Sequence, residues 1–330
     1  MTSTPAAVGW AERHQVALYV AAITGAVVVG LLAPAAEHAG SLINPAIAAL
    51  LFVTFLGVPF AAIGRAAKDA RFLGSLLVLN FLVVPVVVFG LSRFVAADEA
   101  LLVGVLLVLL TPCIDYVIVF TDLAGGAHER LLAAAPILML LQMLLLPAYL
   151  WAFAGRDVVD VVDPEPFVEA LVVLIVIPLA AAAAVQALVR RSPPVERAQN
   201  VAAWTMVPLM MIVLATVIAS QVATLEHGDL STVLKVLPIY VAFLVVMAPL
   251  GRLVAIRSGL DVPAARALTF SGATRNSLVV LPLALALPAE LALVPLVVVT
   301  QTLVELVGMV VYTRVIPRIL PDPVEAARSA

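Results

Sequence analysis

The sequence predicts an all-α membrane protein of ten transmembrane helices, and three observations predict it. Hydrophobic residues make up 64% of the 330 residues and charged residues only 12%, with a mean hydropathy of +1.18, far above what a water-soluble domain needs. The apolar residues fall in ten runs long enough to cross a bilayer, since about 20 residues at 1.5 Å rise traverse a hydrocarbon core of about 30 Å. Lys and Arg gather in alternate connecting segments, the asymmetry that orients spanning helices.

The runs cover approximately 17–34, 43–63, 72–95, 100–121, 131–153, 167–189, 201–222, 233–256, 265–287 and 292–315. Each reads as helix. A membrane barrel shows roughly ten-residue segments of alternating polarity, whereas VLNFLVVPVVVFGL and ALVVLIVIPLAAAAAV are continuously apolar. The polar start MTSTPAAVGWAERHQ lacks an early basic region leading into an apolar core and a small-residue cleavage site, so the first run is expected to be a retained span.

With the N-terminus inside, the cytoplasmic segments hold fourteen of the eighteen Lys and Arg residues. The external segments hold Arg93, Arg156 and Lys235 together with the acid-rich RDVVDVVDPEP, and Arg275 alone lies within a span. The expected protein is therefore a single polytopic domain over residues 1–330 of the plasma (inner) membrane, with both termini cytoplasmic. A net charge of −3, confined to short loops, leaves no basic surface for nucleic acid, and the lipid bilayer is the expected partner. Cys113 is the only cysteine, so no internal disulfide forms.

Five spans per half would invert one half relative to the other, a plan common among secondary transporters. The fifth span reads Pro136-ILMLL-Gln142 and the tenth reads Pro295-LVVVT-Gln301, with the same Pro-to-Gln spacing; chance recurrence in two apolar helices is the other reading. The same offset carries Thr111-Pro112-Cys113 of the fourth span onto Phe270-Ser271-Gly272, at the start of FSGATRNS in the ninth. Interrupted spans in corresponding positions of two halves point to a binding site.

Polar residues inside spans are costly and mark a pathway or a paired site. Pro112 removes an N–H and disfavours helix before it, so carbonyls near residue 108 lose a partner and are free to turn toward a ligand or a water; an ordinary kink is the alternative. Asp115, in TPCIDYVIVF, must be protonated, paired or bound to a cation at this depth. Arg275, flanked by Thr274, Asn276 and Ser277 in the ninth span, is its candidate partner. The two form either a fixed ion pair or one that opens when a proton or an anion arrives. Gln301 and Glu305, four residues apart in the tenth span, share a helix face. Asn80 and Gln142 read as interhelical hydrogen-bonding amides. Cys113 reads as a small packing residue or, beside a break and an Asp, as a soft ligand that cannot alone make a tight metal site.

No phosphate-binding glycine loop, HExxH, Cys-x-x-Cys or G-x-S-x-G occurs, and the four His residues lie at span ends or in loops. The chain is read as a non-enzyme without a cofactor, and as a carrier driven by an ion or substrate gradient. A channel or an intramembrane sensor is the other class. A channel has no need of a sequestered charge pair, and a sensor normally carries a soluble output domain.

INPAIAALLFVTFLGVPF, NFLVVPVVVFGLSRF and TPCIDYVIVFTDLAGG resemble the bile-acid/sodium-symporter-like superfamily and, within it, the yeast-type arsenite efflux permeases, over essentially all ten spans. The resemblance implies two inverted five-helix repeats, about 17–153 and 167–315, a panel and a core domain, and helices 4 and 9 broken and crossing at the substrate site. It also implies an essential Cys followed by an apolar stretch and an aromatic residue, matched by Cys113, Val117-Ile118-Val119 and Phe120. Cys113 would then be a transient As(III) contact in an arsenite (or related small oxyacid) efflux carrier coupled to protons.

The ninth span departs from that pattern. Asn276 matches the second residue of the family's Asn pair, Arg275 replaces the first, and Leu278 stands where an essential Glu is expected. Asp115 and Arg275 then become the proton-linked acid and its counter-charge, with Asn276 a polar contact. The alternative is a sodium-coupled, bile-acid-type importer of organic anions, with Thr111, Asn276 and Gln301 contributing to a sodium site and Arg275 receiving the anion.

Overall fold

The computed structural model describes residues 6–33, 42–57, 68–114, 116–155, 169, 172–189, 201–202, 204–223 and 231–322. Among these the secondary structure is helical, and each of the ten expected ranges overlaps helix. Among the described residues, four helical stretches are long and apolar enough to cross a membrane: Ala70–Val95, His128–Ala154, Ser231–Arg257 and Val294–Ile319.

The chain divides into two compact units, Met1–Gly57 with Pro164–Leu230, and Val58–Asp163 with Ser231–Ala330. In chain order the helices are α1 (Ala6–Leu32), α2 (Ile43–Gly57), α3 (Ala70–Val78), α4 (Val84–Ser92), α5 (Glu99–Leu109), α6 (Tyr116–Leu123), α7 (His128–Ala154), α8 (Ile177–Val189), α9 (Met206–Ala223), α10 (Leu237–Arg257), α11 (Val262–Ala273), α12 (Ser277–Leu285) and α13 (Val294–Ile319).

The first unit packs α1 on α9, and α2 against both α8 and α9. Gly30 of α1 permits close approach, because a Cβ there would lie 2.8 Å from the Ala219 carbonyl oxygen of α9. Small residues let helix backbones meet where lipid supplies no hydrophobic drive for association. The last carbonyls of α2 have no intrahelical donor, and Gln186 of α8 supplies one, its Nε2 donating to Phe55 O at 3.2 Å and Leu56 O at 3.0 Å.

The second unit holds the broken spans. Every residue of α5 from Ala100 to Leu109 and every residue of α11 from Ala264 to Ala273 is buried, so these two half-helices form its core. Their sequences differ in how they achieve this. ALLVGVLLVL is apolar on every face, as a helix enclosed on all sides must be. AARALTFSGA instead uses small residues, and its Thr269 hydroxyl bonds within the helix, Oγ1 donating to Ala265 O at 2.8 Å.

Local chemistry sets the ends of these elements. Asp69, Asp98 and Asp261 cap α3, α5 and α11, accepting from the N–H groups of Phe72, Leu101 and Ala264, the preferred use of Asp at a helix start. Helices α6 and α10 end in Schellman turns. Gly126 N donates to Thr121 O and Gly125 N to Asp122 O, while Leu260 N donates to Ala255 O and Gly259 N to Ile256 O. The φ values of +66° at Gly125 and +62° at Gly259 are ones that only glycine adopts without strain. Between α3 and α4 lies a π-turn, Leu79–Val83, followed two residues later by Pro85. Pro85 has no N–H for the carbonyl four residues back, and Tyr149 of α7 takes that role, its hydroxyl donating to Phe81 O at 2.6 Å.

Helices α10 and α11 touch at Gly251, where a Cβ would stand 2.8 Å from Thr269 Cα. That neighbour is backbone and cannot rotate away. Gly251→Val is expected to lower stability by about 1–3 kcal/mol through overpacking, read as a lower Tm and a smaller monodisperse fraction in detergent; an unchanged Tm would show that the two helices slide apart freely.

Candidate functional site at the helix crossing

Two non-helical segments interrupt the spans, residues 111–114 between α5 and α6 and residues 274–276 between α11 and α12. They lie antiparallel and pair at Pro112 and Arg275. Cys113 N donates to Thr274 O at 3.0 Å, and Asn276 N donates to Thr111 O at 2.8 Å. The fourth and ninth spans therefore touch through their backbones, a two-bond ladder that satisfies groups no lipid could satisfy.

A broken helix leaves its last carbonyls without N–H partners. The structure supplies donors for them from three side chains. Thr111 Oγ1 donates to Leu107 O at 3.2 Å and Val108 O at 3.0 Å, so the carbonyls freed near Pro112 turn to a local hydroxyl. Thr274 Oγ1 adds a bond at 2.6 Å to Phe270 O, which also accepts from Thr274 N at 3.0 Å. Arg275 serves the rest: Nη2 donates to Ser271 O at 2.6 Å and Gly272 O at 2.8 Å, and Nη1 to Leu109 O at 3.4 Å. One guanidinium thus closes the C-terminal ends of both α5 and α11, where the partial negative charge of a helix collects. Nη2 also donates to Asn80 Oδ1 at 2.8 Å, and the guanidinium carbon stands 5.5 Å from the Phe243 ring centre, within cation–π range. Arg275 has 0% exposure.

Glu305 of α13 faces the same segment and is 1% exposed. Its Oε2 accepts from Arg275 N at 2.7 Å and from Gln301 Nε2, and its Oε1 accepts from the Tyr116 hydroxyl. Three donors on one carboxyl suit the ionised form, which only accepts. The four-residue spacing in α13 does put Gln301 and Glu305 on one face. Lower on that helix Thr302 Oγ1 lies 2.7 Å from Ser277 Oγ, and Met309 Sδ lies 3.4 Å from Thr274 Oγ1.

The structure therefore gathers Thr111, Pro112, Cys113, Arg275, Asn276, Gln301 and Glu305 at one crossing, all of them buried. Asp115 lies outside the described residues. Asn80 is the interhelical amide its sequence suggested, Nδ2 donating to Ser271 Oγ and Leu76 O at 3.1 Å each. Gln142 departs from that expectation, since both its amide atoms are buried and have no hydrogen-bond partner among the described residues. Asn276 Oδ1 caps α12 through Val279 N at 3.3 Å, and among the described residues Asn276 Nδ2, Gln301 Oε1 and Arg275 Nε have no hydrogen-bond partner. Tyr116, Asn80 and Thr274 complete the cluster without having been singled out for it. Tyr116 follows Asp115 directly, and that adjacency was the available signal.

The sequence profile of the Sodium Bile acid symporter family matches residues 44–226, more than half of the chain. The chain belongs to this family. Its members are membrane transporters rather than enzymes, in keeping with the apolar helices and the absence of hydrolytic or nucleotide-binding motifs. No curated protein matches the chain. The symporter-family match takes in the first broken span, while Arg275, Asn276, Gln301 and Glu305 lie beyond it. The second half of the crossing is thus argued from geometry alone.

Proposed function

We propose that this symporter-family member is an inner-membrane secondary transporter that exports a small uncharged oxyacid, arsenite in the first instance, in exchange for protons. The observation that carries the reading is the hydrogen-bonding capacity left at the crossing. Among the described residues Asn276 Nδ2 and Arg275 Nε are unmatched donors and Gln301 Oε1 an unmatched acceptor, all buried, whereas the carboxyl oxygens of Glu305 and both terminal nitrogens of Arg275 are already engaged by the protein. A neutral trihydroxy acid is both donor and acceptor and requires no counter-charge; a carboxylate would require one. Cys113, buried at the same crossing, supplies a soft sulfur for As(III), and a single thiol holds it loosely enough to release.

In this reading Glu305 is the buried acid of the crossing, reached from α13 where the arsenite permeases use the ninth span. Asp115, next in sequence to Tyr116, is the proton-linked acid of this proposal, and Arg275 the counter-charge. Alternating access exposes the crossing to each side in turn. The inverted relation of residues 17–153 and 167–315 and the cytoplasmic placement of both termini belong to the same proposal.

The test is arsenic accumulation in cells that lack their own arsenite efflux. The wild-type chain is expected to lower cellular arsenic several-fold, Cys113→Ser to lose most of that effect, and Asp115→Asn to lose it as well. Wild-type expression with no reduction would sink the arsenite reading. The family's name favours one alternative, sodium-coupled symport of an organic anion, which predicts sodium-dependent anion uptake in vesicles and no effect on arsenic.

A further inference from the structure

The acceptors around Arg275 are an unusual set. Asn80 Oδ1 at 2.8 Å, Ser271 O at 2.6 Å, Gly272 O at 2.8 Å and Leu109 O at 3.4 Å surround one guanidinium. All four are uncharged oxygens, and three are backbone carbonyls at the ends of interrupted helices. Carbonyls at unwound helix ends are the groups that coordinate sodium in broken-helix carriers, because hard alkali cations take oxygen ligands and are favoured by the negative end of the helix dipole. The cluster is therefore chemically fit for an inorganic cation, yet a side-chain cation of this same chain fills it.

We infer that the Arg275 guanidinium is a tethered cation that permanently occupies an oxygen cage at the crossing, so that sodium does not bind there and this family member does not depend on it. Several features make the occupancy permanent. The Arg275 backbone is paired with Pro112 and held by Glu305 at its N–H, with Cys113–Thr274 and Asn276–Thr111 bonds on either side. The side chain has no exposure through which to withdraw. Asn80 is oriented by its own amide, whose Nδ2 bonds Leu76 O and Ser271 Oγ and so turns Oδ1 toward the guanidinium. A second cation in the same cage would share its oxygens with a fixed positive charge at contact distance, in surroundings where water does not screen the repulsion. The Glu305 carboxylate balances one positive charge, and Arg275 provides it.

The inference concerns the ion and not the cargo, so it is tested without transport. Purified full-length protein in detergent is melted in sodium, potassium or N-methylglucamine chloride at equal ionic strength. Wild-type Tm is expected to be the same in all three. Arg275→Ala, which empties the cage, is expected to gain stabilisation from millimolar guanidinium that urea does not reproduce and the wild type does not show, because a ligand that binds only the folded state raises Tm by mass action. A sodium-specific rise in wild-type Tm would overturn the inference, and so would an Arg275→Ala protein that elutes as a folded monodisperse species yet responds to guanidinium no more than the wild type. If Arg275→Ala cannot be recovered folded, Arg275→Lys keeps the tethered charge and is expected to remain insensitive to sodium; a sodium-specific Tm rise in that variant would equally overturn it. Failure of the arsenite assay leaves these outcomes unaffected, so the two proposals fail separately.

Discussion

Glu305→Ala is expected to be the most damaging single substitution in the chain, lowering stability by about 3–5 kcal/mol, because removing one partner of a buried charge pair strands the other. The stranded groups are specific. Arg275 N and Gln301 Nε2 would lose their acceptor, the Tyr116 hydroxyl would keep Arg275 O but lose Glu305, and the guanidinium, with 0% exposure, would lose the carboxylate held at its own backbone N–H. Glu305→Gln is expected to fall between Ala and the wild type: the amide oxygen still accepts from Arg275 N and Gln301 Nε2 and the NH2 can donate to the Tyr116 hydroxyl oxygen, but the neutral amide does not balance Arg275. The check is the Tm of purified protein and the fraction that remains monodisperse after heating, for both variants. Wild-type stability in Glu305→Ala would mean that the carboxyl does not balance Arg275. A double variant, Glu305→Ala with Arg275→Met, is expected to recover part of the loss, since replacing a buried pair by apolar residues costs far less than breaking it.

Arg266→Leu is expected to produce the second-largest loss, about 2–4 kcal/mol, since hydrogen bonds from a charged donor contribute about 1.5–3 kcal/mol each. Arg266 repeats, at another level of the second unit, what Arg275 does at the crossing. It is 6% exposed; its Nε donates to Leu320 O at 3.0 Å just past α13, and its Nη1 to Ala124 O at 3.0 Å just past α6. One guanidinium again closes two helix C-termini, where cations are favoured. Lysine keeps the charge but lacks the planar fork that reaches two carbonyls at once, so Arg266→Lys is expected to recover only part of the loss. Gly125 supports the arrangement, since a Cβ there would lie 2.8 Å from Arg266 Nη1. Matching Tm values for Arg266→Leu and the wild type would show that these carbonyls find other donors.

Much of this fold was legible because its signals are local. Apolar length marked the helices, and Pro112 marked the break in the fourth span; in the ninth, the repeat offset pointed to Phe270-Ser271-Gly272, which stay helical, and the break falls just after them at residues 274–276. The four-residue spacing of Gln301 and Glu305 placed both on one face, and their side chains do meet. Arg275 and Glu305 stood out because charge inside an apolar span is rare. The wrong emphasis concerned who satisfies whom. Carbonyls near residue 108 were expected to be available to a ligand, and Thr111 and Arg275 take them instead. Glu305 was read on its own helix face, but it reaches the backbone of the ninth span and so brings an acid to the crossing that the sequence of that span lacks. Gln142 was expected to bridge helices, and among the described residues neither amide atom has a partner.

Sequence alone determined that this chain is a helical membrane protein with two interrupted spans and few intramembrane charges, because hydropathy, span length and proline geometry are properties of short stretches. Only the tertiary structure decided that the interruptions pair backbone to backbone, and that Arg275 collects oxygens from residues as far apart as Asn80, Leu109 and Gly272. The physical reason is that buried hydrogen bonds are assigned by proximity after packing. A guanidinium closes whichever carbonyls the fold brings within about 3 Å, and no spacing along the chain encodes which ones those are.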